Sequence, residues 1–456
     1  MEIANKEFGQ VYAINPPSNS VWSFSGGYPI VSFQIAQQNK YLNPKTLRLN
    51  GKFRLKNPVN APPANGSGVN ATDGIALSGR VGIASCINQI SLSTSSNQTL
   101  EVIRNYNRML ATLIPVTHSS SDLNTCLQVA DPASASRSFN SARGVNETVE
   151  FSIPLRTGLL SGGELLALGT NGLRGLNINL ELAPNSQVIS GYNTYEDGVA
   201  TQVLFSPLGT GASYELEDLN LTYDLLVPDE QGQTIMNAPA TGSMSYNSFS
   251  QLYSVINSSE QTQNFNFGVS NCLGVTHNFI MTDRINNYNF DGFATPGLIN
   301  SNLTDAIFKR ITFLRGSTRF PIDYEIEVGG RTDLPADQDR PLTELTTEFI
   351  DSVKPYITMD HSSMSSQTQN GINDLLTFSN VATPRRSNTL AEPNNHVTGC
   401  GVVMDGFSKV GVDFRNTNYG LRLVSGLDGV SPNSIYTFIR ARNTLNYSPA
   451  GISVSS

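Results

Sequence analysis

From residue 320 to 328 the chain reads FPIDYEIEV, with apolar and acidic side chains in alternate places. Successive side chains of an extended strand point to opposite faces, so Ile322, Tyr324, Ile326 and Val328 share one face and Asp323, Glu325 and Glu327 the other. Similar alternation recurs in YPIVSFQI (28–35), TLRLNGKFRL (46–55), LNINLEL (176–182), DLNLTYDLLV (218–227), FIMTDRI (279–285) and TFIRARNTL (437–445). One buried and one solvated face is the pattern of antiparallel sheets. Two stretches change period. In TLEVIRNYNRMLATLI (99–114), Leu100, Ile103, Tyr106, Leu110 and Leu113 recur at three and four residues, which predicts an amphipathic helix. Leu342, Leu345, Phe349, Ile350 and Val353 do the same over 341–356, with Pro341 where a first helical turn tolerates it and Pro355 at the end.

The order strands, helix, strands therefore occurs twice, with helix starts at 99 and 341, about half the chain apart. Between the halves VPDEQGQTIMNAPATGSMS (227–245) has no strong strand or helix period and carries Pro, Gly and Asp as a linker does. The halves share no strong residue-by-residue identity, so a duplication rests on the order of elements. Each half, at about 200 residues, has room for an eight-stranded jelly roll with long loops. The sequence thus predicts an all-β chain of two tandem eight-stranded antiparallel jelly rolls with short helices in connecting loops. The expected boundaries are an amino-terminal arm at 1–21, a first jelly roll at 22–228, a linker at 229–245, a second jelly roll at 246–448 and a tail at 449–456. PPANGSGVNATDG (62–74), SSDLNTC (120–126), PADQD (335–339) and SSMSSQTQNG (362–371) read as loops, and the glycines of GGELLALGTNGLRG (162–175) as turns.

Composition narrows the class. Only 14% of residues are charged, against a usual share of about a quarter. Asn, Ser, Thr and Gly fill the gap, which suits a loop-rich β protein with a polar, lightly charged surface. With 39% hydrophobic residues the chain has enough to bury and is not a disordered composition. A net charge of -8 and a pI near 5.1 give the whole molecule no attraction for nucleic acid or an anionic membrane. The start, MEIANKEFGQ, lacks a positive region followed by an apolar run, and no segment reaches the roughly 18 to 20 apolar residues of a membrane span. Cys86, Cys126, Cys272 and Cys400 are sparse and widely spaced, unlike a disulfide framework. These features predict folding in a reducing compartment, where sequons such as Asn65-Gly-Ser and Asn220-Leu-Thr stay unmodified.

Candidate chemistry is thin. Neighbours among Asp323, Glu325 and Glu327 lie about 7 Å apart on one strand face, a separation that suits inverting glycoside hydrolysis. The plainer reading is a solvated or paired acidic face. Asp333, Asp337 and Asp339 could offer oxygen ligands to calcium but lack the glycine and terminal glutamate of a known loop. Cys272 with His277, and His396 with Cys400, are the closest Cys/His pairs, without the two-residue spacing of zinc knuckles. Nucleophile-elbow, phosphate-loop and dinucleotide motifs are absent. No catalytic, cofactor-binding or metal-binding residue is assigned, and the chain is not predicted to be an enzyme.

More informative is the polar face of 46–56, where Arg48, Lys52, Arg54 and Lys56 stand with Thr46 and Asn50, opposite Leu47, Leu49, Phe53 and Leu55. A basic strand face in the first half and an acidic one in the second are either two solvated faces or complementary surfaces that meet between the halves or between copies, with an anionic interior such as packaged nucleic acid the weaker option for the basic face. Arg48, Lys52, Arg54, Lys56, Asp323, Glu325 and Glu327 are therefore the candidate interface residues.

Three stretches carry a resemblance: LRGSTRFPIDY (314–324), KYLNPKTLRLNGKFRL (40–55) and the ending ARNTLNYSP (441–449). With the two-half plan, they make the chain resemble the double jelly-roll major capsid proteins of tailless icosahedral DNA viruses, most closely those of polinton-like viruses and virophages. The resemblance implies two jelly rolls side by side, hexon-like homotrimers with a pseudo-sixfold outline, and an icosahedral shell around DNA. It implies no activity or cofactor. It implies contacts with neighbouring capsomers and with penton and minor capsid proteins, no recognition of nucleic-acid sequence, no membrane span, and a place in the virion capsid after assembly inside the host cell. The chain is compact for that family, so short surface loops and little arm exchange are expected. The alternative is a carbohydrate- or receptor-binding β-rich viral surface protein, for which the single Trp22 is thin provision of stacking platforms. An all-β hydrolase comes third, for want of motifs.

Overall fold

The computed structural model describes residues 3–56, 72–77, 82–117, 139–140, 148–161, 164–169, 172–196, 201–206, 213–237, 241–281, 293–294, 308–320, 325–327, 399–404, 411–425 and 433–455. The first half supplies β1 (Ile3–Tyr12), β2 (Ile30–Ile35), β3 (Tyr41–Lys56), β4 (Ile87–Thr94), β5 (Thr99–Arg104), β6 (Thr148–Pro154), β7 (Leu176–Leu182) and β8 (Ser213–Pro228). Helix α1 (Tyr106–Thr117) follows β5, and the single turn α2 (Gly158–Ser161) follows β6. Helix α3 (Glu230–Asn237) leads into β9 (Gly242–Ile256), β10 (Glu260–Phe265), β11 (Cys272–Met281), β12 (Phe308–Arg315), β13 (Ile326–Glu327), β14 (Gly399–Val403), β15 (Tyr419–Ser425) and β16 (Asn433–Ser448), and β17 (Gly451–Ser455) ends the chain.

Sheet order repeats between the halves. The first half pairs its strands as β1-β8-β3-β6 and β2-β7-β4-β5, and the second as β9-β16-β11-β14 and β10-β15-β12-β13, all antiparallel. Each second-half label is the first-half label plus eight, so the duplication read from element order is present in the pairing. A first strand lying beside the last, in two facing four-stranded sheets, is the jelly roll. The loop strands Thr72–Leu77, Phe139–Asn140, Ile189–Glu196 and Thr201–Ser206 add a separate four-stranded sheet to the first half.

Alternation decides the core. Along β7 every second residue is buried, and Ile178 sits between Phe33 of β2 and Leu92 of β4, with Leu180 between Val31 and Ile90. Leu49 and Phe53 of β3, Tyr214 and Leu221 of β8, and these residues belong to one continuous buried cluster. Burying each such side chain is worth about 1.5–3 kcal/mol.

The structure corrects several expectations. The helix expected over 99–114 is β5 followed by α1. Asn105, with φ 51°, takes the left-handed conformation that turns strand into helix, and its carbonyl accepts the first helical N–H groups. Leu100 and Ile103 are both buried because β5 is covered on both faces, which erases the two-residue period. The expected arm contains β1, paired along β8, and the expected tail contains β17, paired with β16. The stretch read as a linker holds α3, whose N-cap is Asp229: its carboxyl accepts the Gly232 N–H at 2.8 Å. Ile326 is buried beside the half-exposed Glu325, as the alternation of the acidic strand requires. Pro321, Ile322, Asp323, Tyr324 and Val328 of that stretch, the helix expected over 341–356, and Asp333, Asp337 and Asp339 lie outside the described residues.

In the second core His277 is fully buried, with Nδ1 2.8 Å from Thr437 Oγ1 and Nε2 2.7 Å from the Tyr419 hydroxyl. Both ring nitrogens are engaged, so neither is left for a metal. Cys272 is a buried thiol whose pKa burial pushes up to about 12, and His396 lies outside the described residues. Burial drives the imidazole down to about 3. A depressed histidine contributes stability that is complete above its ordinary value near 6.5 and is lost as pH falls toward 3. Thermal unfolding should therefore show stability declining below pH 6.5, with this residue contributing a limiting slope of about 1.4 kcal/mol per pH unit. The non-titrating His277→Gln should show a shallower decline.

Candidate assembly interfaces

The basic row of β3 finds its partners in its own sheet. Lys52 Nζ lies 2.7 Å from Asp218, Arg54 reaches Glu215 at 2.8 Å and Glu217 at 2.6 Å, and Lys56 reaches Glu215 at 2.7 Å. These acids stand on β8, directly beside β3, with Arg54 opposite Glu215 and Lys52 opposite Glu217. Arg48 instead donates to the hydroxyl (2.9 Å) and carbonyl (3.0 Å) of Ser152 on β6. A bulge in β8 sets the pattern: Asp218 has φ 54° and the register shifts there, while Leu219 leans over Gly51, where a Cβ would lie 2.6 Å from Leu219 Cδ2. Burial works to raise the Glu215 carboxyl, and the hydrogen bonds and charges of Lys56 and Arg54 outweigh it, so it sits below the ordinary range.

Glu325 is likewise neutralised within its own half. Its carboxylate lies 3.0 Å from Arg319, 3.5 Å from Arg310 and 3.6 Å from Arg422. Glu327 sits in β13 opposite Arg310 in register. The structure does not bring the basic row to Glu325. Exposed pairs of this kind contribute about 0.2–1 kcal/mol each, enough to fix register and little more.

The two halves meet through elements that charge patterns do not reveal. The outer edge of β9 faces β5 and α2: the Tyr246 hydroxyl donates to the Leu100 carbonyl (2.8 Å), and the Phe249 N–H to Glu101 Oε1 (2.6 Å). Asn105 donates to Gln251 at 3.3 Å. α1 lies against β11 and β16, where the Asn278 amide donates to the Arg108 carbonyl (2.6 Å) and the Arg108 guanidinium stands 5.9 Å from the Tyr436 ring centre. Arg174 donates to the Ser448 carbonyl at 2.8 Å. At Gly158 the backbones touch, and a Cβ there would lie 2.4 Å from the Asn247 carbonyl oxygen and 2.6 Å from Ser248 Cα.

β1 is the first-half counterpart of β9, and its position contrasts with that strand. Its outer edge pairs with no strand among the described residues. Phe8 (70% exposed) and Tyr12 (63%) project from one face, and Ile14 and Ile30 nearby in the fold are also exposed, with Asn15 donating to the Ile30 carbonyl. Tyr246 and Phe249 of β9, by comparison, are 7% and 5% exposed. Sequence reasoning missed both surfaces. Glu101 lay within a helical-looking stretch, and Phe8 within a segment read as an arm.

No group of three or more His, Cys, Asp or Glu among the described residues is placed to hold a metal, and no helix among them is long and apolar enough to cross a membrane. Two tandem jelly rolls joined through β9 and α1 define the class: the chain has the double jelly-roll fold of viral major capsid proteins. It aligns over 100% of its length with 98% of the PBCV-1 VP54 chain fitted into the virophage Sputnik, at TM-score 0.58 and 10% identity. It aligns over 99% with 88% of a chain from the structure of the Sputnik virophage itself (TM-score 0.54, 11% identity), and over 98% with 91% of the Faustovirus major capsid protein (0.53, 9%). No protein-family model matches the chain, and no curated protein matches it in sequence.

Gly158→Ala should push α2 off β9 and lower stability by about 1–3 kcal/mol, the usual cost of overpacking, as measured by denaturant unfolding. Glu325→Arg should add a like charge beside three arginines and lower stability, with an effect that shrinks as salt is raised.

Proposed function

We propose that the chain is a major capsid protein, a hexon-like and non-enzymatic subunit that trimerises into pseudo-hexameric capsomers and builds an icosahedral shell around a DNA genome. The observation that carries this reading is the unequal fate of two equivalent strands. Within one chain the edge of β9 is covered by the first half, whereas β1 has no strand on its outer edge among the described residues and leaves the apolar side chains Phe8 and Tyr12 exposed. Open sheet edges and apolar patches are liabilities unless a partner covers them. If the second half of a neighbouring copy covers β1 as the first half covers β9, the contact is head-to-tail. Such a contact forms a ring when the rotation closes. Three chains give six jelly rolls, the pseudo-sixfold outline that the likeness to capsid proteins supports.

In this reading each jelly roll is a unit and α3 marks the division between them. The row Arg48, Lys52, Arg54 and Lys56, and Glu325 among the acids, serve mainly to hold their own sheets, and the apolar edge carries the contact between copies. The lightly charged, Asn- and Ser-rich surface suits many modest contacts summed by symmetry. Neighbouring capsomers, penton and minor capsid proteins are then the partners, and the virion capsid the location. The single Trp22 is buried at 3% exposure and so offers a sugar no indole to stack on, which disfavours the carbohydrate-binding alternative.

Light scattering of the native protein should give a mass near three times 49.3 kDa. Phe8→Glu combined with Tyr12→Glu should leave the unfolding of the subunit nearly unchanged, since both side chains are exposed within it, and shift the mass to that of one chain. A wild-type protein that stays monomeric as its concentration is raised would sink the reading.

A further inference from the structure

Glu101 is a carboxyl buried at the seam between the jelly rolls, 3% exposed. Its Oε1 accepts the N–H groups of Gly158 (3.0 Å) and Phe249 (2.6 Å), and its Oε2 that of Leu159 (3.1 Å). Gly158 and Leu159 open α2 in the first half, while Phe249 lies on β9 in the second. One carboxyl thus holds backbone from both sides of the seam. It forms no ion pair among the described residues, so hydrogen bonds alone offset the cost of burying its charge.

Thr157 presents its hydroxyl to the same carboxyl, and the hydroxyl oxygen also accepts the Leu160 N–H at 3.0 Å. A hydroxyl both donates and accepts, so Thr157 has a hydrogen bond to offer whether Glu101 is charged or neutral. The titratable groups that face Glu101 are Tyr106 of α1 and Tyr246 of β9, both phenols held neutral by burial. Arg156, beside Thr157, gives its backbone N–H to the Tyr106 hydroxyl, and its charge bears on that phenol.

We propose that Glu101 is a proton-operated latch between the two jelly rolls: neutral, it seats β9 against α2, and charged, it becomes a buried anion whose desolvation weakens the seam. Burial raises the carboxyl to about 7, against the lowering effect of the three N–H groups and Thr157. When the seam opens and water reaches it, the carboxyl returns to its ordinary value near 4.5. The closed seam therefore holds the proton more tightly than the open one. Its contribution is complete below about 4.5 and is lost as pH rises through about 7. The His277 contribution runs the opposite way, so together they place the most stable seam and core in mildly acidic solution. The latch acts inside one chain and stands whether or not the chain builds a shell.

Hydrogen exchange of the full chain, followed by mass spectrometry at pH 6 and pH 8.5, tests it. Peptides covering 157–161 and 246–251 would be referred to the core strand 176–182 in the same molecule, which removes the direct effect of pH on exchange. The expected result is a severalfold rise in relative exchange of the seam peptides at the higher pH. Glu101→Gln, neutral throughout, should abolish the rise, and Tyr246→Phe, which removes a seam hydrogen bond without removing the carboxyl, should keep it. A wild-type ratio that does not change with pH overturns the proposal, and does so even if the glutamine variant fails to fold. A rise that persists in Glu101→Gln overturns it as well.

Discussion

An antiparallel sheet that does not close on itself ends in a row of N–H and C=O groups without partners, and the disposal of those edges governs this molecule. Each jelly roll has a long first strand at the rim of one sheet. In the second half that strand, β9, lies against β5 and α2 of the first, and its N–H and side chains find acceptors there. In the first half β1 pairs with β8 alone among the described residues. The same architectural need is met within the chain in one half, and in the other no strand among the described residues meets it.

The seam shows how polar groups are used where two preformed surfaces meet. No strand pairing crosses the boundary among the described residues. Single side chains bridge instead: Glu101 takes N–H groups from both halves, Tyr246 gives to Leu100, Asn278 to Arg108 and Arg174 to Ser448. Gly158 allows the backbones to touch. Buried polar contacts of this type add modest net stability, yet each unmade one is costly, so they select one relative placement of the halves over others. The charged rows play a smaller part. Arg54 and Lys56 with Glu215, and Glu325 with its three arginines, hold neighbouring strands in register on partly wet surfaces.

Much of the fold was legible because it depends on local pattern. β7 is found where LNINLEL alternates, and the alternation of β3 and β8 gives the inward residues Leu49, Phe53 and Leu221 directly. The plan of two similar halves agrees with the repeated sheet order, while the helix expected in the second half lies outside the described residues. Errors arose where a residue answers to two surfaces. β5 is buried on both faces, so its apolar residues lose the two-residue period and imitate a helix. β1 and β17 have one neighbouring strand each among the described residues and need few apolar side chains, so they looked like an arm and a tail.

The sequence by itself determined the class of fold, since a two-residue period survives in any strand that has one wet and one dry face. It also determined the repeated plan of the halves and the polar, lightly charged surface. Tertiary structure alone decided which charges meet, because the register that sets Arg54 opposite Glu215 and Glu325 beside Arg319 is not encoded in either strand's own pattern. It also decided which rim strand is covered. That choice depends on how two complete jelly rolls dock, a relation between residues as distant as Glu101 and Phe249 that no local period records.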